Sequence, residues 1–323
     1  MSWNDLMRRL VIGKQTSNNF STKDLPHNRR QVFKFIYKNR ALQLFSASLL
    51  CLLFFIPFII WDTINYFAQL IELRGKTGFE LYETSAEFVN TSNLINIPCL
   101  MLAFIGLAGL VYVVRKLCWN EPVAIFKDFK KGIKNSWQQY LIIGFVFSLN
   151  KWILDFSFNL LLYYSDINFA LRIGLLIFLS LLCVVLLIMH CYALGLSANY
   201  NMSIIEVYKA SFTLTLKKFF TNVLMLIAGI FPLAIIFMIP YALGQILGII
   251  LTIFGGIGFC VLVVSLFLYR QFDKFINEKN YPEMVNKGIY GEDETIEDND
   301  LDSLEIEKLA EQLASEYEEE SIE

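Results

Sequence analysis

Residues 171–196 read LRIGLLIFLSLLCVVLLIMHCYALGL, and this run decides the fold. It carries one charge, Arg172, at its edge. About 20 predominantly apolar residues let a helix cross the hydrocarbon of a bilayer. Inside that hydrocarbon the backbone must satisfy its own hydrogen bonds, which a helix does. Working outward, comparable runs occupy 41–61, 97–114, 140–162, 219–241 and 244–269. The sequence therefore predicts an all-α, polytopic helical membrane bundle of about six spans. Composition agrees, since only 18% of residues are charged against ~25% in soluble domains.

The polar segments between the runs set the topology. Residues 1–40 form a basic arm with nine Lys or Arg, and no apolar stretch precedes Ala41 to act as a signal peptide. Residues 62–96 read as a polar outer loop, 115–139 and 197–218 as basic segments, and Asp166 as the tip of a very short turn. The membrane domain ends near 270, and 271–323 form a tail that is acidic from 292. Of 27 Lys and Arg, 23 fall on the side of the N-terminal arm and two in 62–96. Positive charge accumulates on the cytoplasmic side, so the expectation is a multi-pass cell-membrane protein with both termini cytoplasmic. Asn90-Thr91-Ser92 in the expected outer loop matches a glycosylation acceptor.

Two basic segments share a pattern. After Asn120, a helix cap, and Pro122, a first-turn residue, Phe126, Phe129, Ile133 and Trp137 recur on one helix face. Ser203 and Glu206 form a capping box, and Ile205, Tyr208, Phe212 and Leu216 follow at the same spacing, 79 residues on. Such faces backed by lysines suit helices lying in the membrane interface. Phe33, Ile36 and Leu44 give a looser third copy, broken by Arg40. The reading is three repeats of basic interfacial helix, span, outer turn and span.

The stretch Gly109-Leu110-Val111-Tyr112-Val113-Val114-Arg115, then Glu121-Pro122, Phe126-Lys127-Asp128-Phe129-Lys130 and Ile133-Lys134-Asn135-Ser136-Trp137-Gln138 resembles the YesL-like family of uncharacterised bacterial integral membrane proteins. The resemblance is sharpest over about 97–165. It implies a similar length and span number and at most a transport-associated role. It supplies no catalytic residues, and the acidic tail departs from it.

Chemistry is sparse. The cysteines 51, 99, 118, 183, 191 and 260 lie mostly within apolar runs without a C-x-x-C, which suits small buried hydrophobes. The only histidines, His27 and His190, make no zinc pattern, and no phosphate-binding loop occurs. No cofactor or metal site is expected, and no basic folded domain points to nucleic acid. Glycines in the last run, from Gly244 to Gly258, suit close helix packing. Pro57, Pro98, Pro232 and Pro240 fall in or beside spans, where each can kink its helix.

The best candidate site is in the third span. Lys151, Asp155 and Asn159 recur at four-residue spacing on one face, and Lys151 lies roughly 15 Å past Leu141, near mid-membrane. A charge at that depth requires a partner or water. Asp155 is the first candidate, and Arg172 of the next span could reach Asp155 as well. The pattern fits a polar binding site or an ion pair that fixes the hairpin. The anionic headgroups of the bilayer are the expected partner of the basic segments. Asp302, Glu305, Ile306, Leu309 and Leu313 could form a short tail helix that docks a membrane or cytoplasmic protein. The expected function is non-catalytic: an accessory, scaffold or regulatory component of a transport or envelope system. A transporter or permease with a polar intramembrane site is the alternative.

Overall fold

The computed structural model describes residues 25–164, 167–230 and 250–290, with Ala234, Leu247 and Gly248. The turn at Asp166, Pro232, Pro240, Gly244 and the acidic tail lie outside the described residues. Among those described, the chain is an all-α bundle: α1 Arg29–Asn39, α2 Ala41–Glu72, α3 Gly78–Cys118, α4 Ile125–Tyr163, α5 Phe169–Asn199, α6 Ile204–Lys217, α7 Phe219–Gly229 and α8 Ile257–Phe272. Short π-helical segments, Thr252–Gly256 and Asp273–Asn277, flank α8.

Helices α2 to α5 are each long and apolar enough to cross a membrane, and α6 with α7, bent by 98°, count as a fifth when taken as one broken span. Their outward surfaces require lipid. On α2, Leu53, Ile56, Ile60, Ile64, Phe67 and Ile71 are all exposed and recur every three or four residues along one face. A soluble helix would bury such a stripe.

The most extensive contact is the antiparallel pair α3 and α4. Small residues let the backbones approach. A Cβ on Gly132 would stand 2.5 Å from Tyr112 Cβ, and one on Gly109 would stand 2.8 Å from the Phe129 ring. Gly144 meets Phe104 in the same way. The core then runs through Leu110, Val114, Ile143, Ile188, Leu196 and Leu262.

The structure corrects the sequence reading of the first hairpin. Residues 62–96 are not a loop: α2 and α3 continue through them, and only 73–77 turn. Gly75 and Gly78 make that turn at φ +84° and +61°, a region few L side chains adopt. At 1.5 Å per residue α3 is about 60 Å long, twice the hydrocarbon thickness. Its polar half reads as a loop in the sequence because it is not apolar all round. Asn90, whose triplet matches the glycosylation pattern, is helical and accepts a hydrogen bond from Trp152 Nε1 at 3.0 Å.

The first interfacial helix also differs. Asn120 does not cap a helix but occupies a turn at φ +55°. Helix α4 starts at Ile125, capped by Asp128, whose carboxylate accepts from the Ala124 N–H at 2.8 Å and pairs with Lys116 at 2.9 Å. The amphipathic stretch runs without a break into the span. Its apolar face is split: Phe126 is 73% exposed and Phe129 5%, the latter packed on Phe54 and Gly109. Ile133 is half-buried, and Trp137 points outward.

The second amphipathic segment matches its expectation more closely. The capping box is formed by Ser203 and Glu206, and α6 is a separate helix. Ile205, Phe212 and Leu216 face outward, Tyr208 is half-buried, and Val207, Ser211, Leu214 and Thr215 face the core. Ser203 also holds the Glu206 carboxyl below its ordinary value through its backbone and side-chain hydrogen bonds. At the N-terminal end, Arg40 separates α1 from α2 and donates to the Glu121 carbonyl at 2.9 Å.

One end of the bundle is closed by a clasp between the two ends of the described chain. Tyr290 N–H donates to Pro26 O at 3.0 Å, and His27 Nδ1 donates to Tyr290 O at 2.9 Å. Arg29 pairs with Asp273 at 2.8 Å, donates to Lys287 O at 2.9 Å, and stacks on Tyr269. Lys287 completes the clasp on Glu121 at 3.1 Å and over the Trp119 ring.

Candidate functional site

Lys151 and Asp155 are one helical turn apart on α4, and the helix alone brings them together. Nζ lies 2.5 Å from Asp155 Oδ2. Across the seam, α3 contributes Asn93. Its Oδ1 accepts from Lys151 Nζ at 3.0 Å, and its Nδ2 donates to Asp155 Oδ2 at 3.1 Å. Asn93 thus serves both ions with the two ends of one amide. A turn further on, Asn159 Nδ2 donates to Ser85 Oγ of α3.

Helix α2 closes the third side. Asp62 lies in electrostatic range of Lys151 and Asp155. The neighbouring Trp61 Nε1 donates to the Ser92 carbonyl at 3.3 Å. Ser85, Ser92, Asn93, Asn96 and Asn159 are all buried. The Lys151 and Asp155 side chains remain 29% and 37% exposed. The network therefore ties α2, α3 and α4 together, with its ion pair at the rim.

In the sequence, Trp61 and Asp62 follow the first two-thirds of α2, at the end of the run 41–61, and Asn93 and Asn96 precede the α3 run 97–114, while Lys151 and Asp155 fall inside the α4 run 140–162. On α2 the exposed apolar face continues past Asp62 through Ile64, Phe67 and Ile71.

Of the four expected site residues, the structure brings Lys151 and Asp155 together on Asn93 and sets Asn159 against Ser85 one turn further along the same seam. Arg172 is not a partner of Asp155. It donates to the Tyr164 carbonyl at 2.6 Å, at the end of α4. The residues missed by sequence reasoning are Asp62, Ser85, Ser92, Asn93 and Asn96. The signal was present: 85, 92, 93 and 96 follow helical spacing, hidden by reading 62–96 as a loop.

His190 is a core residue. Its Nδ1 donates to the Leu186 carbonyl at 2.7 Å, and its ring packs edge-on against Phe147 and Tyr208. The six cysteines are free thiols, and no cluster of three or more metal-ligating side chains occurs among the described residues.

The fold and this network define a helical membrane protein with an inter-helix polar lock. Compared with protein-family models, curated proteins and solved structures, the chain matches none.

Proposed function

We propose that this chain is a non-catalytic component of the cell membrane, an accessory, scaffold or regulatory subunit of a transport or envelope system, with both termini cytoplasmic. The observation that carries this reading is that the Lys151–Asp155 ion pair is met by Asn93 of the neighbouring helix. Lys151 donates to Asp155 and to Asn93, whose amide in turn donates to Asp155. A transporter site sits near the midplane and presents groups to a substrate. Here Lys151, Asp155 and Asn93 present themselves to each other. The resemblance to YesL-like proteins belongs to the same proposal and favours a transport-associated setting. The clasp supports termini on one side, and the base distribution supports the cytoplasmic side.

The test is thiol accessibility. With the six native cysteines replaced, a cysteine at the adjacent buried position 92, which leaves Asn93 in place, is probed with a membrane-impermeant reagent from each side of sealed vesicles. A fixed lock leaves the thiol unmodified from the side of the clasp. Labelling from both sides in turn would show alternating access and establish the permease instead.

A further inference from the structure

Between α4, α5 and α6 lies an open groove of about 550 Å³, walled by Ile142, Val146, Met189 and Phe212, with Tyr208 and Lys209 at the α6 side. It is distinct from the Lys151 network, since α6 takes no part there. Its surface is almost wholly apolar, yet one of its lining residues, Tyr208, has a buried hydroxyl with no hydrogen-bond partner.

Behind Tyr208 stands His190, 2% exposed, with Nδ1 donating to the Leu186 carbonyl and the two rings edge to face at 6.1 Å. The Tyr208 hydroxyl both donates and accepts. A buried polar group left unpaired is costly, and this one adjoins a cleft that admits a ligand. Lys209 is exposed at the same edge. An occupant that is apolar along α4 and α5, brings a hydroxyl or ester oxygen to Tyr208 and carries negative charge toward Lys209 fits the groove.

We infer that the groove is a binding site for one anionic phospholipid from the leaflet on the α6 side, with an acyl chain along the α4–α5 seam and the headgroup beside Lys209. The orientation of α6 supports this assignment. Ile205, Phe212 and Leu216 face outward, as a helix at the headgroup level requires, which sets Lys209 where phosphates lie. The inference holds whether the chain is an accessory protein or a permease.

The test uses the full chain in bilayers containing phosphatidylglycerol with a photoactivatable acyl chain, and a phosphatidylcholine probe of identical chain. Adducts are mapped by mass spectrometry. The expected result is phosphatidylglycerol labelling concentrated on 142–146 and Met189, lowered on the order of fivefold by K209E and lowered also by Y208F. Lys209 is exposed, so K209E tests the headgroup contact without disturbing the core. Equal labelling by both probes, or adducts spread evenly to Ile153 and Ile177 on the outer faces, would overturn the site.

Discussion

Asn93 and Lys151 face each other across the α3–α4 seam, Oδ1 to Nζ at 3.0 Å, while the other end of the same amide reaches Asp155 at 3.1 Å. A single neutral side chain on one helix thus holds both members of an ion pair on another. That arrangement makes the three residues one coupled unit.

Removing one member of the unit strands the others. Asp155→Leu or Asn93→Ala is expected to destabilise the protein by about 1–3 kcal/mol, the usual cost of orphaning a polar group. Replacing Lys151 and Asp155 together by Leu is expected to cost less than the two single changes combined, because neither charge is left alone. Thermal unfolding of the four proteins in a double-mutant cycle measures this. Strictly additive single effects would mean that the pair does not interact.

The close α3–α4 approach depends on glycine. A methyl group on Gly132 would press on Tyr112 Cβ at 2.5 Å and on the Ala108 carbonyl at 2.9 Å, neither of which is the free end of a side chain. Gly132→Ala is expected to lower stability by ~1–3 kcal/mol, as overpacking does. Gly174 on α5 has nothing within 4 Å, and Gly174→Ala should be neutral or stabilising through helix propensity. Equal melting temperatures for the two variants would contradict the packing described.

The capping box makes one local stability pH-dependent. Hydrogen bonds from Ser203 hold the Glu206 carboxyl below its ordinary value of 4.5. The folded pKa is thus the lower one, so the contribution is present above the ordinary carboxylate range and is lost as pH falls through the lowered value. Protection factors of the amides in the first turn of α6, the observed exchange rate divided into the intrinsic rate at each pH, should fall on acidification in the parent. They should change far less in Glu206→Gln, which keeps an acceptor but no titrating charge. The same loss of protection in both proteins would assign the effect elsewhere.

Much of this was legible in the sequence. The apolar runs at 41–61, 97–114, 140–162 and 171–196 each fall within a long helix. Lys151, Asp155 and Asn159 are near in sequence, so helix geometry alone relates them. What escaped reading was their partners, 58 to 74 residues away on α3. The polar residues of 78–96 look like loop residues because membrane-helix signals rest on apolar content, and a helix that buries its polar face against another lacks that signal. Phe129 escaped for a related reason. Periodicity finds a face but not what the face meets, and the neighbour that admits Phe129 is Gly109 on another helix.

The clasp at the closed end makes topology testable in a single labelling series. Tyr290 and Pro26 are joined by a backbone hydrogen bond, so residues near both ends must lie on the same side of the membrane. The α2–α3 turn lies at the far end of two helices each long enough to cross it. The 23 of 27 bases on the side of the N-terminal arm are the ground for proposing that this side is cytoplasmic. Arg30, Arg74 and Glu283 are exposed and can each be replaced by cysteine in a background without the native thiols. In intact cells an impermeant maleimide is expected to label Arg74→Cys at once, and Arg30→Cys and Glu283→Cys only after permeabilisation. Protection of Arg74→Cys with labelling of the other two would invert the orientation. Labelling of only one of Arg30→Cys and Glu283→Cys from outside would break the clasp itself, because a backbone hydrogen bond cannot join residues on opposite faces of a bilayer.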